Sequence, residues 1–348
     1  MRIINTVLGD ATGGRWSVVE TYARVLASAG HQVTLLCNQR HPPARWPADL
    51  AGVRQRMLRV AGHYDPVASL AAWRLLRSTR AELVIAHCSR SVALFGRVSG
   101  AVPVVAVTHS NKVRRALAAD AFINISRHIG RLVEAGGAGD RPSFHIPNAV
   151  PAPAAMPARP PWRTPVRVGA FGRFDPVKGL DLFVRALGRL RQRGVRFQAR
   201  LGGAGEQAAV LEGLVRELGL EDCVERCGWV DDRQAFFDAI DILCVPARSD
   251  AFGLTPLEAA AAGVPLVLSD AEGHRDMFED GVHAAFFPRD DAGALADRLA
   301  QAIGRPDEAR ILAASAFRRV AEEFNPRRFA RRLEDAVASL AGASAGRG

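Results

Sequence analysis

Short apolar runs alternate with helical periods along most of this chain. Residues 2–8 read as a strand, and Gly13-Gly14 opens a helix over about residues 16–29, closed by Gly30. Residues 32–37 form the next strand, followed by buried runs at 83–86, 104–108 and 121–125 and another near 143–146. Apolar runs this short, separated by helical patterns, predict a parallel sheet with right-handed crossovers.

Residues 149–165 hold six prolines and no strand or helix period, so they read as a linker. A second alternation follows: strands at 166–171, 196–201, 241–245 and 264–268, helices at 178–193, 206–218, 233–239, 292–303 and 307–323. After Asn325-Pro326 a basic amphipathic helix, about 327–340, ends the chain. The pattern predicts an α/β protein of two doubly wound Rossmann-like domains. The expected division is 1–150, a linker 151–165, a second domain 166–324, and a terminal segment 325–348 that packs back toward the first domain.

Composition changes this picture little. At 348 residues with 48% hydrophobic and 24% charged positions, the chain can fill two cores. It has no apolar run of the ~18 residues a membrane helix needs. The start, MRIINTVLGD, lacks a signal-peptide core. Five cysteines without metal-ligand spacing point to a reduced, cytoplasmic protein, with Cys223 and Cys227 as core or near-core residues.

Charge adds more. The net +10 is uneven: residues 1–150 carry 19 basic and 8 acidic side chains, the rest 27 and 28. Such a split suits an anionic partner surface. An arginine-rich composition, 44 Arg against 2 Lys, accounts for the choice of cation but not for the split.

Candidate chemistry concentrates at residues 246–269, PARSDAFGLTPLEAAAAGVPLVLS. A short strand runs into a polar loop and then a helix. Thr255 suits an N-cap, Pro256 the first helical position and Gly263 the left-handed residue past the end. Such a helix start directs free N–H groups over the loop holding Asp250, Phe252 and Gly253. Thr255 and Glu258 also have capping-box spacing, so spacing alone leaves Glu258 either a cap or a ligand. Earlier, Gly172-Arg173 ends a strand and Lys178-Gly179 opens a helix. Lys178 is the only lysine after residue 150, and an ammonium is a compact point-binder for phosphate.

The run from Asp250 to Glu258, with its internal Phe252-Gly253 and trailing EAAAAG, resembles the E-x(7)-E signature of retaining glycosyltransferases of family 4. Asp250 stands where that family usually has Glu. Gly172-Arg173 with Lys178-Gly179 resembles the family's diphosphate-binding pair, Gly13-Gly14 its first glycine loop, and Gly228-Trp229-Val230 its turn against the base. His109, at the end of a strand, matches the family histidine near the transferred sugar. Residues 124–127 and 146–148 carry further marks of the fold, and the glycine loop at 202–205 has Ala204 in place of an acid.

The resemblance implies the GT-B fold, two such domains facing a cleft, and metal-independent transfer of a sugar from a UDP- or GDP-sugar, with no cofactor. By that resemblance Arg173 and Lys178 neutralise the leaving diphosphate, Asp250 holds the sugar hydroxyls, and His109 is a catalytic-site residue close to the transferred sugar. Gly13, Gly14, Gly172, Gly228, Val230, Phe252, Gly253, Leu254 and Thr255 contact the donor, and Glu258 takes the ribose hydroxyls. Trp229 is read as a core aromatic. The implied acceptor is a glycan or lipid-linked hydroxyl in lipopolysaccharide or surface-polysaccharide assembly. The expected partner is an anionic membrane at the cytoplasmic face, met by Arg45, Trp46, Arg54, Arg56 and Arg59. An inactive nucleotide-sugar-binding protein is the main alternative. A nucleic-acid binder lacks any helix-turn-helix or aromatic-basic RNA motif here.

Overall fold

The apolar runs pair side by side into two all-parallel sheets. The computed structural model describes all residues except 10–12, 44–45, 47–49 and 346–348. The chain divides into one unit of Met1–Asn148 with Arg327–Gly348 and a second of Ala149–Pro326.

In the first unit the order is β1 (Arg2–Val7), α1 (Gly13–Ser28), β2 (Gln32–Asn38), β3 (Val53–Leu58), α2 (Pro66–Thr79), β4 (Leu83–Ala86) and α3 (Ser89–Val98). Then come β5 (Val104–Thr108), β6 (Ala121–Asn124), α4 (Arg127–Ala135) and β7 (Ser143–His145). The strands lie β3-β2-β1-β4-β5-β6-β7. Buried on both faces, β4 and β5 show no exposed position, which is why they read as unbroken apolar runs.

In the second unit the order is β8 (Val166–Phe171), α5 (Leu180–Gln192), β9 (Phe197–Gly202), α6 (Ala208–Glu217), β10 (Val224–Gly228), α7 (Arg233–Asp238) and β11 (Ile242–Val245). Next are α8 (Leu254–Ala261), β12 (Leu266–Ser269), α9 (Glu272–Met277), β13 (Ala285–Phe287), α10 (Ala292–Gly304) and α11 (Pro306–Glu323). The strands lie β10-β9-β8-β11-β12-β13. The final helix, α12 (Pro326–Ala345), belongs from Arg327 onward to the first unit, where Phe329 meets Tyr22 edge-on at 5.1 Å between ring centroids.

Both sheets reverse direction of winding once. The reversal lies between β1 and β4 in the first unit and between β8 and β11 in the second. Ligands of open parallel sheets bind beyond the carboxyl ends of the strands at such a point. Residues 178 and 250 follow β8 and β11, so the second switch point brings the two candidate charges together.

Three expectations change. The stretch read as a linker has no regular structure, yet it is strapped to the second unit. Arg159 donates to the carbonyls of Phe237, Ile240 and Ala262, and Arg163 pairs with buried Asp241 at 2.9 Å. Strand β3 was not foreseen: it is an edge strand whose Arg54, Gln55, Arg56 and Met57 are all exposed, so no apolar run marks it. Of the expected docking residues, Arg45 lies outside the described residues. Trp46 is half-buried, with its ring edge-on to Trp16 at 6.0 Å. Arg54, Arg56 and Arg59 are exposed.

Candidate active site

Glycines without room for a side chain draw two loops of the second unit together. Gly179 has φ +64°, and a Cβ there would lie 2.0 Å from the Pro246 carbonyl oxygen. The loop leaving β11 therefore rests directly on the start of α5. Arg248 fastens it. Its backbone N–H donates to Val177 O at 2.9 Å, and its guanidinium forks onto Asp181 with two contacts of 2.7 Å. Across β8, Gly203 passes so close that a Cβ would reach Gly172 O at 2.0 Å, and Phe174 N–H donates to Ala204 O at 2.8 Å. The glycine loop thus supports the Gly172–Lys178 segment, and Ala204 contributes only its backbone.

This frame sets Lys178 Nζ 2.9 Å from Asp250 Oδ2. Burial pushes the Asp250 carboxyl up, but Lys178 and, more weakly, His274 outweigh it and hold it below the usual carboxylate range. The other oxygen, Oδ1, accepts from Phe252 N–H at 3.3 Å. Phe252 itself is core, with its ring against Phe324, so this residue can offer a ligand only its backbone. Arg173 stands largely in solvent, 3.5 Å from Asp175.

Helix α8 starts two residues earlier than expected from a cap at Thr255. Gly253, at φ +100°, is the N-cap, and no side chain caps the helix. Thr255 is inside the first turn, and Pro256 sits where its missing N–H costs nothing. The capping-box reading of Glu258 fails with it: Glu258 Oε1 pairs with Arg233 of α7 instead. Its Oε2 is buried with no hydrogen-bond partner. Burial raises the Glu258 pKa, and Arg233 only partly offsets this. Gly263, at φ +69°, does close the helix, as expected.

Sequence reading missed His274. It is fully buried on α9, and its Nδ1 lies 3.0 Å from Ser269 O, an acceptor, so Nδ1 carries the proton. Nε2 has no partner and lies 3.4 Å from where a Cβ on Gly253 would be. Gly273 lets α9 approach: a Cβ there would sit 2.4 Å from Phe252 N. The signal for both was local, a Gly-His pair following a buried strand. Gly228 ends β10 at φ +66°, and Val230 packs over Gly202. Trp229, read as a core aromatic, is 53% exposed, because the turn faces its ring outward while Val230 takes the inner place.

In the first unit, Gly13 (φ +57°) and Gly14 open α1 after β1, and His109 follows β5. His109 is bonded to His87, which follows β4: Nε2 of His109 lies 2.9 Å from Nδ1 of His87. His87 was not foreseen.

Two parallel doubly wound units with loops of this kind at the strand ends define the GT-B class. A model of glycosyltransferase family 4 matches residues 12–152, and one of glycosyl transferases group 1 matches residues 165–305. The chain belongs to the family 4 type of GT-B glycosyltransferases. It is 32% identical over 180 residues to the lipopolysaccharide core biosynthesis mannosyltransferase LpcC of Rhizobium leguminosarum bv. viciae, a match covering 50% of this chain and 51% of that protein. The chain spans about half or less of the curated relatives it matches. Sucrose-phosphate synthase from Thermosynechococcus elongatus superposes with a TM-score of 0.82 at 20% identity, covering 99% of this chain and 100% of that one. Anabaena Alr3699/HepE in complex with UDP and glucose does so with a TM-score of 0.80 at 16% identity, covering 97% and 100%.

Proposed function

We propose that this protein is a retaining glycosyltransferase moving a sugar from a UDP- or GDP-sugar to a hydroxyl of a glycan or lipid-linked acceptor, without a metal. The observation that carries the reading is the uncapped start of α8 at the second switch point, with Lys178 and Asp250 joined beside it. An uncapped helix start offers N–H donors and a positive dipole end, which suits a diphosphate. Lys178 and Arg173 add charge where the leaving group develops it. Asp250 takes sugar hydroxyls, and Glu258, with its unpartnered oxygen, takes the ribose. Lipopolysaccharide or surface-polysaccharide assembly is the proposed setting, supported by the similarity to LpcC, a lipopolysaccharide core biosynthesis mannosyltransferase. UDP as donor base is supported by the ligands of the HepE complex. A thermal-shift panel of nucleotide sugars, run with and without a chelator, is the test, since a ligand of the native state raises Tm by mass action. No stabilisation by any UDP or GDP compound sinks the reading. Binding without turnover selects the inactive alternative, and loss with chelator removes metal independence.

Glu258→Gln distinguishes ligand from structural roles. The folded-state pKa of Glu258 is raised, so the carboxylate is a net cost that grows as pH rises from the unfolded value through the folded one, and is fully present above it. The amide removes that cost. Tm at pH 7.5 should be unchanged or higher, while KM for the donor rises. A clear fall in Tm would return Glu258 to a structural role.

The membrane side of the proposal moves to a different surface. Helix α2 buries Ala68, Ala72 and Leu76 and turns its larger apolar residues outward: Val67 is 77% exposed, Leu70 49% and Trp73 42%. Arg77 lies over the Trp73 ring at 5.2 Å. A helix with its bulk facing water, on a basic unit, suits an anionic bilayer, where each basic residue adds about 1 kcal/mol. Among the described residues no helix is long and apolar enough to cross a membrane. Replacing Val67, Leu70 and Trp73 by serine should abolish cosedimentation with anionic vesicles and leave donor binding intact. Equal recovery of the variant and the native protein would remove α2 from the interface.

A further inference from the structure

We infer that Asn5 and His87 lock His109 into one tautomer, making its Nδ1 an obligate hydrogen-bond acceptor. Asn5 is fully buried on β1, and its Nδ2 donates to Val19 O at 2.9 Å. That contact fixes which end of the amide is oxygen. Oδ1 of Asn5 lies 2.7 Å from Nε2 of His87. A carboxamide oxygen only accepts, so His87 Nε2 carries the proton and donates. His87 is 1% exposed and packed edge-on against Tyr22, 4.7 Å between ring centroids. Burial, the neighbouring His109 and Arg15 all push its pKa well below the ordinary value, so the ring is neutral. A neutral ring with its proton on Nε2 has a bare Nδ1. The 2.9 Å contact then requires His109 Nε2 to donate to it. The rings lie nearly coplanar, 5.2 Å between centroids with an interplanar angle of 20°, as a hydrogen bond in the ring plane requires. His109 in turn has its pKa lowered to about 3 by burial, with Arg15 adding, and stays neutral at working pH. Its one proton is committed inward, and Nδ1 keeps a lone pair.

The consequence is chemical selectivity. A locked acceptor pairs with a hydroxyl that donates, and repels the lone pairs of a phosphate oxygen. Within the proposed transferase, His109 therefore reads a sugar hydroxyl and not the diphosphate, and His87 and Asn5 are positioning residues. The ring states do not depend on turnover. An inactive protein with the lock intact would count against the transferase reading and leave this inference standing.

Nitrogen-15 histidine labelling of the full chain tests it, because long-range proton–nitrogen correlations separate the two tautomers and the imidazolium. His109→Gln and His87→Gln spectra identify the two rings among nine histidines. The expected state of His109 is the Nε2–H tautomer, unprotonated from pH 8 down to 5. His87→Gln should preserve it, since the new amide can accept from His109 and donate to Asn5. His87→Leu should mix the tautomers and lower kcat by about ten- to a hundredfold. Asn5→Asp should flip the lock: a carboxylate favours the His87 imidazolium, whose Nδ1–H then donates to His109 and leaves its proton on Nδ1. An Nδ1–H or doubly protonated His109 in the native protein at pH 7 overturns the inference, as does an unchanged tautomer in His87→Leu. The native spectrum decides even if a variant fails to fold.

Discussion

Replacing Lys178 by alanine is expected to lower kcat/KM for sugar transfer by about ten- to 150-fold, the equivalent of the 1.5–3 kcal/mol carried by hydrogen bonds to a charged group. Melting temperature should fall far less, because both partners of the Lys178–Asp250 pair keep some contact with solvent. Arginine at 178 should restore only part of the loss, since a planar fork cannot occupy the place of a compact ammonium. Asp250→Ala should behave differently. It releases Lys178 from its partner, so binding of UDP or GDP should hold or tighten while transfer is lost. Steady-state kinetics with calorimetry of nucleoside diphosphate binding separates the two. Equal weakening of diphosphate binding in both variants would mean the pair acts only as a structural tie.

Gly179→Ala should produce the largest stability change. The position is left-handed at φ +64°, and its Cβ would lie 2.0 Å from the Pro246 oxygen. The left-handed backbone costs an L-residue about 1–2 kcal/mol, and forcing apart packed backbone adds about 1–3 more. A loss of about 3 kcal/mol would lower Tm by roughly 6–12 °C for a unit of this size. Activity should fall as well, because the same contact sets Lys178 against Asp250. A Tm within about 2 °C of the native protein would show that the loops are not held by this approach.

Much of the fold was legible because buried parallel strands have a plain signature. The runs at β4, β5 and β8 have the same bounds in sequence and structure, since β4 is wholly apolar, β5 is apolar up to its last residue, and His87, His109 and Gly172 follow the three runs. β3 escaped because this edge strand carries Arg54, Gln55 and Arg56 through its middle and so shows no apolar run. The helix start misread at Thr255 has a simple cause. Proline is tolerated anywhere among the first free N–H groups, so Thr255-Pro256 does not by itself fix which residue is the cap. Glu258 looked like half of a capping box because its partner, Arg233, is 25 residues away. Asn5 and His87 are 82 residues apart and meet only because β1 and β4 are neighbours. Local pattern reports period and turn chemistry; it is silent on which buried polar groups topology will bring face to face.

The scarcity of lysine gives the Gly179 contact a practical use. A lysine-specific endoprotease has two sites in this arginine-rich chain, after Lys112 and after Lys178. Lys112 is exposed. The bond after Lys178 is pressed against the Pro246 carbonyl and can enter a protease only when that loop lifts away. Cleavage at the second site under native conditions thus reports opening of this loop wherever that is more frequent than global unfolding. The protein carries its own proteolytic clock at the root of the candidate site.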